Sequence, residues 1–264
     1  MEVHHHPDLH HEKKAWKEYF LEFLMIFLAV SMGFFAETMR ESISENGKAK
    51  ELAKSLYQEV YADSVTMQAK ISMRLRKDIQ LEYFRKYVAD SSLTHLSEKF
   101  YPCYVWSFIL TSSIMFEPND GILNQLRNSG TLRYFKSVGL QNSISRFNVA
   151  ILNVRNRNSQ EYAFIDEFVR PFTMKHFDFK WHDAFTQHGK LNINQQLAQT
   201  NYHSPVAPRL KDLDNFNREE ADGVAGYYLL ILRATIQLTY DQYTAANHEL
   251  LQELRKEYHF EHEQ

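Results

Sequence analysis

Hydrophobic positions are most concentrated in one run near the N-terminus, from Tyr19 to Ala36. The 18 residues of this run include a single charged residue, Glu22. As a helix with a rise of about 1.5 Å per residue, the run would be about 27 Å long, close to the thickness of a bilayer's hydrocarbon core. The pattern therefore predicts a transmembrane anchor, which we place at residues 16–40.

A cleavable signal peptide is the alternative interpretation of this run. Ser31-Met32-Gly33 offers small residues at the spacing of a cleavage site. However, Phe34 and Phe35 follow immediately, and an amphipathic pattern continues without a break. An uncleaved anchor is the favoured interpretation.

The charges beside the run predict its orientation. Lys13, Lys14 and Lys17 lie just before it, whereas the basic residues that follow lie mostly further away. Because cytoplasmic flanks carry the excess of Lys and Arg, we expect a cytoplasmic N-terminus. The C-terminal part would then be periplasmic, and the protein would reside in the inner membrane.

Glu22 is the one acid that we expect inside the membrane. It lies about one turn from the first interface, so its carboxylate can extend to the headgroups. The alternative is a proton-responsive or helix-pairing carboxylate in an oligomer.

The rest of the chain alternates apolar and polar positions with a helical period. A helix is predicted from about residue 48 to 88, and its apolar stripe consists of Leu52, Leu56, Val60, Met67, Ile71, Leu75, Ile79 and Tyr83. Only 8 Gly and 6 Pro occur in 264 residues, which favours helices over a turn-rich β fold. We predict an all-α fold in which the transmembrane helix continues into an antiparallel bundle, residues 45–264, of about four long helices plus short ones.

Local signals indicate where several helices begin and end. Gly130 follows Asn128 and Ser129 as a left-handed stop, and Asn217 begins the last helix in the manner of a capping residue. Pro171 is predicted to end a helix, and residues 171–216 to form an irregular insert.

Aromatic residues in that insert are candidates for a ligand or partner surface. They are Phe177, Phe179, Trp181 and His182. The alternative is that these side chains simply pack onto the helices.

Residues 1–15 form a His-rich tail that we expect to be disordered. Its imidazoles are weak candidates for metal ligands: His4, His5, His6, His10 and His11. No cofactor is expected.

Charge and motifs exclude several functions. The net charge is −3 and no basic run occurs, so nucleic acid is not an expected partner. The chain has no Gly-rich phosphate loop and no Gly-x-Ser-x-Gly elbow, and its single cysteine, Cys103, reads as a buried small apolar residue. With no catalytic residues to name, we expect a protein that is not an enzyme.

Three stretches of the chain resemble a known family. They are "WKEYFLEFLMIFLAVSMGFFAE", "LNQLRNSGTLRYF", with the step Ser129-Gly130-Thr131-Leu132, and the terminal "LLQELRKEY". They are similar to an uncharacterised family of single-pass membrane proteins in Bacteroidota, catalogued as a domain of unknown function. The resemblance covers the anchor and about half of the rest, and it implies a topology without an activity.

Two hypotheses about function follow. The first is a membrane-anchored accessory or scaffold protein of the bacterial envelope, which acts through a protein partner or as a homo-oligomer. The second is a periplasmic sensor that binds a small molecule and signals through a partner.

Overall fold

The computed structural model of this chain describes residues 15–186 and 209–260. These residues form α-helices joined by short turns, so the prediction of an all-α fold is confirmed. The α-helices are α1 (Trp16–Asp90), α2 (Phe100–Tyr104), α3 (Gly121–Asn128), α4 (Val138–Phe164), α5 (Arg170–His176), α6 (Phe179–Phe185), α7 (Arg218–Ala234) and α8 (Asp241–Tyr258).

Three π-helical stretches extend or join these α-helices. Val105–Ile109 continues α2, Ile165–Val169 joins α4 to α5, and Thr235–Tyr240 joins α7 to α8. Each π-helical turn leaves a backbone carbonyl without its usual partner, and such turns are frequent at functional sites. The three stretches therefore mark places where side chains must satisfy the backbone.

The chain divides into two compact units, Met1–Glu51 and Leu52–Gln264. The described part of the first unit is the N-terminal part of α1. Its most apolar 18-residue window has a mean hydropathy of 2.0, and none of that window is buried. By length and composition, α1 could therefore span a membrane.

The second unit is the helical bundle, and its contacts establish an antiparallel arrangement. Along α1, Arg85 pairs with Asp222 of α7 at 2.7 Å. Earlier in α1, the Tyr57 hydroxyl accepts a hydrogen bond of 2.7 Å from Arg255 of α8. The chain of α7 and α8 thus runs opposite to α1.

The inner face of α1 follows a heptad pattern. Its fully buried positions are three or four residues apart, except for one step of seven across the half-buried Lys70, and the charged ones fall in the middle of the list: Ala53, Leu56, Val60, Asp63, Met67, Arg74, Lys77, Leu81, Phe84 and Val88. Steps of three and four average the 3.5-residue period of helices that pack along a long seam.

The predicted apolar stripe of this helix is correct in its first half and wrong in its second. Leu56, Val60 and Met67 are buried, whereas Leu75 and Ile79 are exposed. Constant steps of four rotate around the helix by about 40° each, so they leave the buried face within a few turns. The heptad register stays on that face.

The predicted irregular insert, residues 171–216, is wrong for residues 171–176 and 179–185, which lie in α5 and α6. Pro171 does not end the helix, because it lies in the first turn of α5, directly after the π-helical stretch. A proline in a first turn removes no hydrogen bond that the helix needs. The segment 209–216 is irregular apart from one 3₁₀ turn, and residues 187–208 lie outside the described residues.

Two predicted helix boundaries are confirmed. Gly130 has φ 68°, the left-handed conformation that glycine adopts readily. The Asn217 side chain accepts hydrogen bonds from the backbone nitrogens of Glu219 and Glu220, at 2.9 and 3.2 Å. Both positions carry a residue type that the local backbone favours.

Candidate functional site

A cluster of charged and phenolic side chains lies at the centre of the bundle, where an apolar core would be expected. This inner cluster consists of Arg74, Lys77, Glu161, Tyr228 and Tyr240, all without solvent exposure. Arg74 Nη2 lies 2.9 Å from Glu161 Oε2, and Arg74 Nε donates to the Tyr240 hydroxyl at 3.2 Å. The cluster ties α1 to α4 and to the π-helical stretch before α8.

Lys77 occupies the same face of α1, one turn after Arg74. Its ammonium nitrogen donates to the carbonyl oxygens of Trp106 and Leu110, at 3.0 and 3.1 Å. It also lies 4.3 Å from the centre of the Tyr228 ring, within the range of a cation–π contact. Lys77 therefore satisfies one carbonyl within the π-helical stretch Val105–Ile109 and the carbonyl of the residue directly after it.

Polar residues on the inner face of α1 also hold the irregular segment that follows. Lys70 donates to the Ser113 carbonyl at 2.6 Å, and Asp63 accepts from the Asn119 backbone nitrogen at 2.9 Å. Buried backbone groups outside regular structure need such partners, because an unpaired one is costly. The buried charges of α1 thus have a structural role, which is to fasten residues 106–119 inside the bundle.

The cluster is not fully satisfied within the described residues. Glu161 Oε1, Arg74 Nη1 and the Tyr228 hydroxyl have no hydrogen-bond partner there. Since a buried polar group without a partner destabilises a fold by about 1–3 kcal/mol, this arrangement costs stability that other contacts must supply.

Burial shifts the proton equilibria of this cluster. Burial lowers the pKa of Lys77 to about 7, an effect that the Glu161 carboxylate reduces and the Arg74 charge increases. Burial also raises the pKa of Tyr228 well above its ordinary value. Lys77 is therefore the group of the cluster that titrates near neutral pH.

The shift of Lys77 predicts a rise of stability with pH. The folded chain releases this proton near pH 7, whereas an unfolded chain keeps it to about pH 10.4. Unfolding then takes up a proton, so the free energy of unfolding should increase by up to about 1.4 kcal/mol per pH unit between about pH 7 and 9. Urea unfolding of the parent and Lys77→Met at a series of pH values measures this; equal slopes for the two would contradict it.

The cluster does not form an accessible reaction centre in this conformation. Its charged groups have no solvent exposure, so a dissolved substrate cannot reach them. Their contacts are with one another, with ring faces and with backbone atoms, which is the environment of structural charges.

The outer face of α1 shows the converse of the inner face, because it lacks charges where the inner face carries them. The exposed positions of this outer stripe between residues 58 and 79 are uncharged: Gln58, Tyr61, Val65, Gln68, Ser72, Leu75 and Ile79. Exposure reaches 58% for Val65, 53% for Leu75 and 64% for Ile79. In its middle, α1 therefore buries charges and presents apolar side chains to solvent.

The predicted ligand or partner surface is divided between the core and the exterior. Phe177 and Trp181 are buried and pack against Tyr101, so they are not available as a surface. Trp181 is turned inward by the helical conformation of α6, whereas Phe177 lies just after α5 in an extended conformation and bridges to Leu210. Phe179 is exposed, and His182 Nδ1 lies 2.8 Å from the Tyr101 hydroxyl.

A cleft of about 490 Å³ remains beside Phe179. It lies where Phe177 forms an isolated antiparallel bridge with Leu210. Basic side chains line it, and Asp178, the one acid among the described residues that line it, pairs with Arg209 at 2.5 Å. The cleft has the charge to accept an acidic small molecule.

The remaining candidate residues are Glu22, the tail histidines and Cys103. Glu22 is on the exposed apolar part of α1, and the tail histidines lie outside the described residues. Cys103 is buried, and burial raises the pKa of its thiol to about 12, which fits a structural cysteine. In residues 15–186 and 209–260, no three His, Cys, Asp or Glu side chains are grouped as metal ligands.

Sequence reasoning missed both the inner cluster and the outer stripe. A heptad register extended from Val60 through Met67 passes through Arg74 and then Leu81. Used as the inner register, this heptad places Arg74 inside the bundle. The outer stripe then follows as a second heptad register, in which Leu75 and Ile79 lie outside.

Comparisons with known proteins add no identity to this geometry. No protein-family model, no curated protein and no solved structure matches this chain.

Proposed function

We propose that this chain is a membrane-anchored, non-enzymatic accessory or scaffold protein that acts through protein contacts. In this proposal α1 crosses the inner membrane once, the N-terminus is cytoplasmic and the bundle is periplasmic. The three lysines before the apolar run support that orientation. Membership of the Bacteroidota family that the sequence resembles is part of the same proposal.

The inversion of α1 is the observation that carries the proposal. A solvated helix normally places its charges outside, because burying an ion is expensive. Here Asp63, Arg74 and Lys77 are inside, whereas Val65, Leu75 and Ile79 are outside. An uncharged stripe at the surface, in which exposed apolar side chains recur, favours a protein–protein contact.

Cross-linking in native membranes tests this proposal. A photoreactive amino acid at position 75 should yield a discrete band heavier than the 31.3 kDa chain, because the outer stripe contacts another protein. Leu152 on α4 is the matched control position, with a similar exposure of 50%. A chain that remains uncross-linked from position 75 would contradict the proposal.

A periplasmic sensor is the second candidate. The cleft beside Phe179 favours it, because Lys180, Arg209 and Lys211 give that cleft a positive character. A ligand-dependent rise in the melting temperature of the full chain, abolished by Lys180→Ala, would support the sensor.

A further inference from the structure

The outer stripe of α1 is a second heptad repeat. Its seven positions follow in steps of three and four from Gln58 to Ile79, and all of them are exposed. This spacing is the one that lets two helices supercoil with a continuous seam. The stripe lies nearly opposite the inner face, which packs in the bundle.

Charge defines both ends of this seam. The same register continued backwards meets Lys54 and Glu51, and continued forwards it meets Glu82 and Lys86. Between them, none of the seven positions is charged, although α1 carries Asp63, Lys70, Arg74 and Lys77 on its inner side over the same length. Charged residues thus mark both ends of the uncharged stripe, as they would mark the ends of a contact surface.

The residue types of the seam bear on how many helices meet. In heptad notation Gln58, Val65, Ser72 and Ile79 fall at position a, and Tyr61, Gln68 and Leu75 at position d. The apolar aliphatic members, with branched Val65 and Ile79 at a and Leu75 at d, are of the types that favour a parallel pair of helices, and polar residues within a seam set its register at a cost in stability. We infer that the outer stripe is the seam of a parallel two-stranded coiled coil with a second copy of this chain; this inference rests on the proposed function and names its partner.

The flanking positions are compatible with self-pairing. In a parallel, in-register pair each g position faces the partner's e position five residues later. The facing pairs are Ser64 with Ala69, Ile71 with Arg76, and Asp78 with Tyr83. None of these pairs has like charges, so two copies meet without repulsion.

Anchoring in one membrane would align the outer stripes of two copies and raise the effective concentration of one copy near the other. In two copies the same number of residues separates the apolar run from the stripe, so the stripes emerge parallel and at the same height. A stripe of 22 residues offers a contact strip of roughly 350 Å², less than the ~800 Å² per partner of a stable interface in solution. Confinement to one bilayer raises the effective concentration and offsets this deficit.

Disulfide trapping of the full chain in its own membranes tests the inference. The parent chain provides a low background because its cysteine, Cys103, is buried. Leu75→Cys places a thiol at a d position, where two copies would bring their thiols together. After mild oxidation we expect about tenfold more dimer, near twice 31.3 kDa, from this variant than from Leu152→Cys.

A second variant tests the register. Gln68→Cys lies one heptad before position 75 and should also form the dimer, whereas Thr66→Cys, off the stripe, should not. Equal yields from positions 66, 68, 75 and 152 would overturn the inference, because random collision does not depend on a heptad. No dimer from positions 68 and 75 would overturn it as well.

The cross-linking test at position 75 separates this inference from the proposed function. If position 75 cross-links to a different protein and the cysteine variants form no dimer, the inference of a second copy as partner is wrong and the proposed scaffold function stands. If neither test yields a product, both fail.

Discussion

Two arginines in the middle of the apolar run, as in Phe27→Arg with Leu28→Arg, are expected to release the chain from its membrane. An arginine at the centre of a spanning helix opposes insertion by about 2.5–3.5 kcal/mol, so the pair opposes it by about 5–7 kcal/mol. That corresponds to a factor of about 10⁴ in the insertion equilibrium. Alkaline carbonate extraction, which removes peripheral proteins, measures the fraction that remains in the pellet.

The matched control moves the same charges along α1. Ile43→Arg with Ser44→Arg lies beyond the anchor and should leave the chain in the pellet. Both control positions are exposed, so a general effect of added charge would affect both variants equally. Retention of the Phe27/Leu28 variant in the pellet would contradict the assignment of the anchor.

Glu161→Leu is expected to lower the free energy of unfolding of the bundle by about 3–5 kcal/mol. The variant leaves Arg74 buried without its counter-charge, and a buried ion without a partner costs far more than an exposed one. Since a domain is stable by about 5–15 kcal/mol, the loss would be a large share of the total. Urea unfolding in mild detergent, followed by the fluorescence of the buried Trp106 and Trp181, measures it.

Two further variants identify the cause. Arg74→Met with Glu161→Leu removes both charges of the ion pair and should recover most of the loss, because no arginine is left buried without its carboxylate and Lys77, with a pKa of about 7, can release its proton. Glu167→Leu changes an exposed carboxylate in the neighbouring π-helical stretch and should shift stability by less than about 0.5 kcal/mol. If Glu161→Leu and Glu167→Leu behave alike, the buried ion pair does not stabilise the bundle as described.

The parts of the fold that the sequence predicts are those set by local chemistry. Gly130 and Asn217 are recognisable because a left-handed turn and an open helix start each favour a few residue types. The long helices follow from apolar period, and the apolar run follows from composition alone.

Features that depend on contacts far along the chain are not predictable in this way. Arg74 and Lys77 resemble solvated residues in sequence, and only partners on other elements, Glu161 and the carbonyls of residues 106 and 110, allow their burial. The candidate aromatic surface failed for a related reason. Trp181 is turned inward by α6, whose helical conformation is not evident in a stretch of alternating aromatic and charged residues. Phe177 is buried where it bridges to Leu210, a partner that lies far along the chain.

The mass of the full chain, extracted within a patch of its own bilayer by an amphipathic polymer, tests the central claim most directly. With an affinity tag after Gln264, the account predicts a particle that contains at least one further protein chain, either a second copy or another protein. A particle that holds a single 31.3 kDa chain in lipid would contradict the claim that this protein acts through protein contacts.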